Sequence, residues 1–444
     1  MSKEIIIIGG GIIGLCSAYY LQKEGHQVTV IDQSDFSNGA SYVNAGYITP
    51  SHIISLAAPG IITKGIKWML NSASPFYVKP RFDLDFFKWA IAFKKSATAT
   101  KVASSIPVLK EMNLISRTLF EEMHTSKDFD FFYEHKGLMM FYKTDKAGEE
   151  EWNVGKKAID LGLKVENLSK EEVQKIEKKV DLNIKGAVYY HSDAHMTPNE
   201  FMPQLKSFLL KNGVSFIENQ AIDELLILGD KISAIKTKNQ EFKADEFVIA
   251  AGSWTPELVK KLGISIPIQA GKGYRINVER PTNISIPAIL MEAKVAVTPM
   301  NGFTRFAGTM EIGGINHTIN PVRVNAIVNA AENYYNNLKI NDNIIETPQD
   351  LYLRVAINNH YIPGRKISIY LLGDDLMNAG TIVDETIQTI NKINTDPLSG
   401  KKKARNIARI VPANYQFYDY GTNTIDMFCD DVEYDLFGIS RDEE

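Results

Sequence analysis

Two short runs of apolar residues near the start of the chain predict two buried strands. The first, Ile5–Ile8, leads into a glycine-rich turn, and the second, Val28–Ile31, ends at Asp32. Between them, apolar and small residues recur at helical spacing until Gly25, which ends the helix. The order of strand, glycine turn, helix and strand predicts a βαβ unit of a parallel sheet.

The turn carries the spacing Gly9-x-Gly11-x-x-Gly14. Gly9 allows a tight turn, Gly11 lets the backbone approach a pyrophosphate, and Gly14 lets the helix pack closely on the strand. The free N–H groups at the helix N-terminus attract phosphates. Asp32 follows Gly14 by eighteen residues, where a carboxylate can accept the ribose hydroxyls. This arrangement predicts a dinucleotide-binding site, and the alternative is a unit of the same fold that binds no nucleotide.

The chain beyond residue 190 carries a second group of predicted strands and helices. Thr197 and Pro198 begin an amphipathic helix as its N-cap and first helical residue, and the helix continues to Leu210. The further predictions are strands at 214–217, 224–228, 232–237 and 246–251, an antiparallel group of strands from 266 to 311, and a helix at 321–339.

The segment between these two groups is predicted to be mainly helical. Residues 53–70 predict two short amphipathic pieces, residues 128–143 alternate and predict a hairpin of strands, and residues 147–180 are charged and predict helix. Residues 80–125 predict helices with an aromatic stripe, which indicates either core packing or a surface that faces a membrane. The stripe consists of Phe86, Phe87, Trp89, Ile91 and Phe93.

The bulk composition limits the classes of protein that remain. A chain of 444 residues, 44% of them hydrophobic, allows two or three domains with substantial cores. Its net charge of −4 gives no basic footprint for nucleic acid. Two cysteines, Cys16 and Cys429, are too few for a disulfide framework and predict a reducing, cytoplasmic environment. No stretch reaches the ~18 apolar residues of a spanning helix, and the first apolar run is interpreted as a strand rather than a signal peptide.

A second buried strand ends in small residues within Phe247–Trp254, which has the sequence FVIAAGSW. Small residues at the carboxyl end of a strand let the chain pass close to a bound dinucleotide. Alone, this segment could be any buried strand followed by a helix N-cap. Together with the N-terminal glycine turn, it favours flavin adenine dinucleotide (FAD) over NAD.

These motifs and several others, in order along residues 1 to about 336, resemble the D-amino-acid oxidase-like superfamily of flavoproteins, specifically its D-amino-acid dehydrogenase branch. The other segments that carry the resemblance are Ala40–Pro50 (ASYVNAGYITP), Ala58–Gly60, Ile66–Met69, Lys272–Tyr274 and Arg305–Glu311 (RFAGTME). The resemblance implies an α/β fold, in which a doubly wound, Rossmann-like FAD-binding domain is combined with an antiparallel-sheet substrate domain. The expected limits are 1–80 with 190–265 for the discontinuous FAD-binding domain, 81–189 with 266–340 for the substrate domain, and 341–444 for an atypical C-terminal segment.

The resemblance also implies which residues contact FAD. The glycine turn holds the pyrophosphate, Asp32 holds the adenosine ribose, and the loop after residue 40 approaches the pyrophosphate and the flavin ring. Most relatives have glutamate in place of Asp32, so the acceptor is kept on a side chain one methylene shorter. The cofactor candidates are Gly9, Gly11, Ile12, Ile13, Gly14, Asp32, Gln33, Ser41, Asn44, Ala45, Gly46, Ile222, Ala251, Gly252 and Trp254.

Oxidation of an amino acid by a flavin requires mainly that the carboxylate is clamped and that the Cα–H is oriented. An arginine fork helped by a tyrosine hydroxyl is the best such clamp. Tyr274 and Arg305 are the preferred catalytic-site candidates because both lie on strands that resemble the family's substrate sheet. Arg275 and Tyr47 are further candidates, and His52, just after the flavin loop, is a candidate for a position near the ring.

A cluster of histidines near residue 193 could be mistaken for a metal site. His191, Asp193 and His195 precede the helix that begins at Thr197, so the spacing of four does not place them on one helical face. No metal is predicted. Cys16 lies in the first predicted helix and is interpreted as a small packed residue.

The resemblance ends near Asn341. The family normally continues with an Arg-Pro turn, a strand and a Gly-His-Gly-like loop that covers the flavin, and this segment is not found here. Instead the sequence predicts a strand at 367–372, a turn at 373–375, a helix at 382–393 and a basic run at 401–405. Either the flavin site lacks part of its wall, or this segment folds in to replace the wall.

The resemblance therefore predicts an FAD-dependent enzyme that oxidises a D-amino acid, or a cyclic amine such as a hydroxyproline stereoisomer, to an imine and then a keto acid. It implies a quinone or another carrier as electron acceptor, and peripheral attachment to the inner membrane. Two alternatives stay open. One is a flavin-binding or cofactor-free protein without turnover, and the other is an NAD(P)-dependent enzyme, against which residues 40–50 and 247–254 argue.

Overall fold

The computed structural model describes residues 2–37, 39–61, 74–79, 81–229, 231–316 and 318–340, together with the backbone of a strand at 351–356. The elements predicted from residue 367 onward and the second amphipathic piece of residues 53–70 lie outside the described residues.

The described part of the chain contains both strands and helices. The strands are β1 (Glu4–Ile8), β2 (Gln27–Ile31), β3 (Tyr47–Ile48), β4 (Phe76–Val78), β5 (Tyr133–Glu134), β6 (Leu138–Tyr142), β7 (Val165–Ser169), β8 (Gly186–Tyr190), β9 (Ala194–Met196), β10 (Ser215–Ile217), β11 (Glu224–Leu228), β12 (Lys231–Lys236), β13 (Glu241–Lys243), β14 (Glu246–Ile249), β15 (Ile268–Val278), β16 (Ala288–Leu290), β17 (Val295–Met300), β18 (Phe303–Ile312) and β19 (Leu351–Ala356). The helices are α1 (Ile12–Lys23), α2 (Ala40–Val43), α3 (Leu84–Ser96), α4 (Ala99–Thr125), α5 (Asp145–Asp160), α6 (Lys170–Ile176), α7 (Pro198–Lys211), α8 (Thr255–Lys260) and α9 (Pro321–Tyr334).

The first sheet has four parallel strands in the order β10-β2-β1-β14. Alternate residues of β1 point to opposite faces, so Ile5 and Ile7 pack under α1 and α7, whereas Ile6 and Ile8 pack against the β11-β12-β13 sheet and α8. Both faces are therefore buried, as expected for parallel strands with continuous apolar runs. The carboxyl ends of β1 and β14 lie side by side, which brings the glycine turn next to the segment after Ile249.

The second sheet has nine strands, in the order β19-β15-β18-β17-β16-β6-β8-β7 with β4 beside β18. The strands β15 to β18 pair antiparallel, as predicted for residues 266–311. The pairs β16–β6 and β18–β4 are parallel, so the sheet as a whole is mixed. Helix α9 covers one face, where Val324 and Ile327 pack in one cluster with Ile276 and Phe306. The predicted helix at 321–339 is confirmed, and it ends at Tyr334.

The predicted hairpin at 128–143 is wrong. Strand β5 pairs with β9, whereas β6 pairs with β8 and β16 in the large sheet. Residues Leu138–Phe141 are all buried, so β6 is an inner strand with partners on both edges rather than one arm of a hairpin. The helix predicted over 147–180 is also wrong in part, because it is interrupted by β7, which adds to the edge of the large sheet.

The aromatic stripe lies on α3 and divides between two faces. Trp89 and Phe93 are buried against β4 and the end of β18, whereas Phe87 and Ile91 are exposed. Asp83 caps the helix by accepting hydrogen bonds from the backbone N–H groups of its first turn. One face of α3 therefore packs in a core, and the other presents large apolar side chains to solvent.

Candidate functional site

The glycine turn between β1 and α1 has no room for side chains. Gly9 has a φ of +113°, and a Cβ atom there would lie 2.3 Å from the carbonyl oxygen of Ala250. A Cβ atom on Gly14 would lie 1.8 Å from the carbonyl oxygen of Gly9. The strand, the turn and the helix are therefore as close as the glycine spacing predicted. Such a cradle fits a dinucleotide whose pyrophosphate approaches the backbone.

Ser41 reaches the N-terminus of α1 from a separate part of the chain. Its Oγ accepts a hydrogen bond from the backbone N–H of Ile12 at 2.9 Å, across a sequence separation of 29 residues. A Cβ atom on Gly11 would lie 3.2 Å from the same oxygen. Phosphates bind at the start of a helix, so a pyrophosphate bound at the N-terminus of α1 would lie beside the Ser41 hydroxyl. The structure thus brings the glycine turn and Ser41 together.

Asp32 lies at the carboxyl end of β2 and faces the glycine turn. Its Oδ2 accepts from the backbone N–H of Gly10 at 2.6 Å, and its Oδ1 accepts from the N–H and the hydroxyl of Ser34, each at 2.7 Å. The neighbouring Gln33 is exposed. Ile222 lies in the chain after β10 and is partly buried in the core beneath the first sheet. The carboxylate is therefore oriented towards the turn, and its contact with an adenosine ribose stays a prediction.

Residues 44–46 form a tight loop after α2 that is held from both sides. The Asn44 amide donates to the carbonyl oxygens of Ala40 and Ser41 at 3.2 and 3.1 Å, and its Oδ1 accepts from the N–H of Gly46 at 2.7 Å. Gly46 has a φ of +70°, and a Cβ atom there would lie 2.2 Å from the Met196 carbonyl oxygen. The hydroxyl of Thr298 on β17 donates to the carbonyl oxygen of Ala45 at 2.7 Å. We call residues 40–46 the cofactor loop.

The other predicted segment follows β14. Ala250 donates its N–H to the Ile8 carbonyl oxygen at 2.8 Å, which keeps the two strand ends together. Ala251 then leads into a short 3₁₀ helix at Gly252–Trp254, where Gly252 has a φ of +62°. The small residues therefore lie at the carboxyl edge of the first sheet, beside the glycine turn.

The large sheet separates the two preferred candidates for substrate contact. Tyr274 lies on the face covered by α9, where it is buried and donates to Glu311 Oε2 at 3.0 Å. Burial and the Glu311 carboxylate raise the pKa of the Tyr274 hydroxyl. On β15, Asn277 is an odd number of residues from Tyr274, so these two side chains lie on opposite faces of the sheet. Arg305 pairs directly with Asn277 and therefore lies on the face opposite Tyr274, together with Arg275. Tyr274 and Arg305 do not meet in this structure.

The Tyr47 hydroxyl is held by the backbone of the large sheet. It accepts from the N–H of Val297 at 2.9 Å and donates to the Ala288 carbonyl oxygen at 2.7 Å. Burial raises the pKa of this hydroxyl above its ordinary value.

His52 is half-buried. Burial, and to a smaller extent the nearby Lys294 charge, lowers the pKa of its imidazole to about 4, so the ring is neutral at physiological pH.

A buried carboxylate beside His52 was not predicted from the sequence. Asp193 is fully buried, and Ser51 donates to it twice, from its N–H to Oδ1 at 3.0 Å and from its hydroxyl to Oδ2 at 2.5 Å. Ser192 donates its hydroxyl to Oδ1 at 2.9 Å. The Ser51 Oγ also lies 3.3 Å from His52 Nδ1. Burial raises the pKa of Asp193 to about 7. No motif marks these residues, because their contact joins segments about 140 residues apart.

The two histidines near Asp193 point to different partners. His195 is buried with its Nε2 3.5 Å from Glu134 Oε2, and His191 Nε2 lies 3.3 Å from Glu166 Oε1. Within the part of the chain that the structure describes, no group of three His, Cys, Asp or Glu side chains could hold a metal ion. Cys16 packs against the core of the first sheet, and burial raises the pKa of its thiol to about 12.

None of the helices in the described ranges is long and apolar enough to cross a membrane.

A D-amino acid dehydrogenase of Helicobacter pylori is 28% identical to this chain over 326 residues, which cover 73% of this chain and 78% of that protein. A D-amino acid dehydrogenase of Vibrio atlanticus (strain LGP32) is 31% identical over 326 residues, with coverages of 71% and 78%. The fold is similar to that of a glycine oxidase from Geobacillus kaustophilus, with a TM-score of 0.64 at 17% identity over 86% of this chain and 92% of that chain.

The family model described as FAD dependent oxidoreductase (DAO) matches residues 4–350, which is most of the chain. The match covers the glycine turn, the cofactor loop and every strand of the large sheet except β19, and it confirms the α/β fold and the FAD cofactor that the motifs predicted. The chain belongs to the DAO family of FAD-dependent oxidoreductases.

Proposed function

We propose that this protein is an FAD-dependent dehydrogenase that oxidises a D-amino acid, or a cyclic amine such as a D-hydroxyproline, to an imine. The observation that carries the proposal is the convergence of Gly9, Gly14 and Ser41 at the start of α1, in a chain similar to D-amino acid dehydrogenases over 326 residues. Bound FAD would supply the acceptor for the hydride that leaves the substrate Cα, and the amine would lose a proton to give the imine. Water would hydrolyse the imine of a primary amine to a keto acid and ammonia, whereas the imine of a cyclic amine would keep its nitrogen bonded to the carbon chain.

The chain's own residues bind and orient the cofactor in this proposal. The first turn of α1 and the Ser41 hydroxyl hold the pyrophosphate, and the Asp32 carboxylate accepts the ribose hydroxyls. The cofactor loop and the Ala251–Trp254 segment flank the remainder of FAD. Contact of Tyr274, Tyr47 or His52 with substrate stays a prediction, and both tyrosine hydroxyls already have protein partners. A cofactor-free protein is not favoured, since the glycine cradle and the family match both fit FAD.

The test is the visible spectrum of the purified protein before and after anaerobic addition of single D-amino acids and D-hydroxyproline. We expect flavin absorption bands that bleach with at least one of these substrates, while the matching L-enantiomer leaves them unchanged. Bleaching by L-amino acids alone, or by none of the panel, would contradict the proposed substrate class. A spectrum without flavin bands after FAD is supplied would contradict the cofactor assignment as well.

We propose further that the electrons pass to a quinone and that the exposed face of α3 touches the membrane in which quinones dissolve. Phe82 and Leu84 are 104% and 78% exposed, and Phe87 and Ile91 continue the apolar surface one and two turns along. Lys88 lies on the same helix with its side chain 69% exposed, where it pairs with Asp85 at 3.8 Å, and it can also approach anionic head groups. Neutral acceptors would then reach the enzyme from the lipid rather than from water.

A Phe87→Asp, Ile91→Asp variant is expected to lose at least about tenfold in partitioning to vesicles of anionic lipid, because each apolar side chain transferred from water contributes ~1.5–3 kcal/mol. Co-sedimentation measures the partitioning. Leu228→Asp, on β11, is the matched control because this leucine is also highly exposed. Equal partitioning of the wild type and the α3 variant would remove the membrane proposal and leave the D-amino-acid proposal untouched.

A further inference from the structure

Arg305 is almost completely buried and joins three parts of the molecule. Its Nη1 donates to the carbonyl oxygen of Asn44 at 2.7 Å, its Nε to Asn277 Oδ1 at 3.0 Å, and its Nη2 to Asn199 Oδ1 at 3.4 Å. These acceptors belong to the cofactor loop, to β15 and to α7. The guanidinium also lies over the ring of Phe303, 5.3 Å from its centre. All three nitrogen atoms of the side chain are therefore engaged with protein groups.

The bond to Asn44 connects Arg305 to the residues around the pyrophosphate position. The Asn44 side chain donates to the carbonyl oxygen of Ser41 and accepts from the N–H of Gly46. Ser41 in turn accepts from the first N–H of α1. A displacement of the Asn44 backbone would therefore move both Ser41 and Gly46. Helix α2 has only four residues, so little else within it can resist such a displacement.

The position of Arg305 on the sheet explains why it meets the cofactor loop. It lies directly opposite Thr298 on β17 and Asn277 on β15. Thr298 donates to the carbonyl oxygen of Ala45, one residue from the carbonyl that Arg305 holds. Two neighbouring strands of the large sheet thus bind two consecutive carbonyl groups of the loop, and the arginine supplies the charged and stronger of the two bonds.

We propose that Arg305 is a positioning residue that holds the cofactor loop in its FAD-binding conformation, rather than the clamp for a substrate carboxylate. A clamp needs two parallel N–H donors directed at the ligand, and here Nη1 and Nη2 are directed at the loop and at α7. The inference rests on the FAD part of the proposed function and is independent of the substrate class.

The test compares Arg305→Lys and Arg305→Gln with the wild type in an FAD titration of the apoprotein, followed by flavin fluorescence. Loss of a charged hydrogen bond weakens an interaction by about 10- to 100-fold, so we expect the Kd for FAD to rise by that factor in Arg305→Gln and by less in Arg305→Lys. At saturating FAD, the KM for the amine substrate should stay within about threefold of the wild-type value, because bound FAD then holds the cofactor loop in its binding conformation.

The control is Arg323→Lys, which alters another fully buried arginine. Arg323 donates to the Met310 carbonyl oxygen on β18, on the side of the sheet covered by α9. It should lower thermal stability without changing the Kd for FAD. A double variant that adds Asn44→Ala to Arg305→Gln should lose less FAD affinity than the sum of the two single losses, because both act through the same residue.

Three results would overturn the inference. The first is a Kd for FAD within threefold of the wild type in Arg305→Gln, and the second is a large rise in substrate KM with an unchanged Kd, which would identify a substrate clamp. The third is a wild-type apoprotein that takes up no FAD. If Arg305→Gln does not fold, Asn277→Ala decides the question, since it removes the Nε acceptor and should still raise the Kd at least threefold. Because FAD binding is measured directly, absence of turnover with D-amino acids would count against the proposed function and leave this inference standing.

Discussion

A Gly14→Ala variant is expected to lose FAD binding and most of its folded yield, the largest effect of any single methyl group in the described part of this protein. The added Cβ would lie 1.8 Å from the Gly9 carbonyl oxygen, which is backbone and cannot rotate away. Gly9 cannot retreat either, because the Ala250 carbonyl group fills the space beside it, with its oxygen 2.3 Å from where a Gly9 Cβ atom would be. Helix α1 must therefore move off β1, at a cost of about 3 kcal/mol or more, and the phosphate-binding turn opens.

The measurements are the soluble yield, the free energy of unfolding in urea, and the Kd for FAD. Gly155→Ala is the matched control, since it also adds a methyl group to a helical glycine. Its nearest neighbours are side-chain atoms of Trp152, Val165 and Val188 at 3.1–3.3 Å, which can shift slightly. We expect a change within about 1 kcal/mol and normal FAD binding for this control. Wild-type FAD affinity in Gly14→Ala would show that the turn is not the pyrophosphate site.

The glycine turn was predictable because its chemistry is local. The strand, the turn and the start of the helix lie within about 30 residues, and each glycine has a steric reason that can be stated from the sequence. The contact of Ser41 with the helix start needed the family resemblance, since nothing in its own neighbourhood specifies a partner 29 residues away. The match to residues 4–350 then confirmed the cofactor that these motifs predicted.

The arrangement of the substrate candidates was not predictable in the same way. Whether Tyr274 and Arg305 share a face depends on the register between β15 and β18, which is regular from Tyr274 to Val278 and shifts between Lys272 and Tyr274, just outside that stretch. Thr309, with a φ of +57°, lies in β18 at that irregularity. A shift of one residue reverses every side chain, so sequence position alone could not show that the two candidates are on opposite faces. The failed hairpin at 128–143 has a similar origin, because the partners of β6 come from distant segments.

The buried Asp193 carboxyl, which Ser51 and Ser192 hold, should make the stability of this protein depend on pH. Burial raises the pKa of Asp193 from 3.8 to about 7 in the folded protein. The folded state therefore binds a proton that the unfolded state releases, so this group's stabilisation is complete below pH 3.8 and is lost as the pH rises to about 7. At ~1.4 kcal/mol per pKa unit the total loss is at most about 4 kcal/mol. Arg117, Tyr47 and Tyr190 are the other titratable groups whose charges act on or respond to this carboxyl.

Asp193→Asn should remove this dependence, because its amide mimics the protonated carboxyl and can donate to the Ser51 hydroxyl. The free energy of unfolding of the variant minus that of the wild type should therefore rise by roughly 3 kcal/mol between pH 5 and pH 8, measured by urea denaturation. His52 and His195, whose pKa values burial lowers to about 4, contribute in the opposite direction but equally in both proteins, so they cancel in the difference. Asp128→Asn, at an exposed position, controls for the loss of one negative charge. A difference that stays constant within about 0.5 kcal/mol from pH 5 to pH 8 would mean that Asp193 is ionised throughout, stabilised by Ser51 and Ser192 more than burial destabilises it.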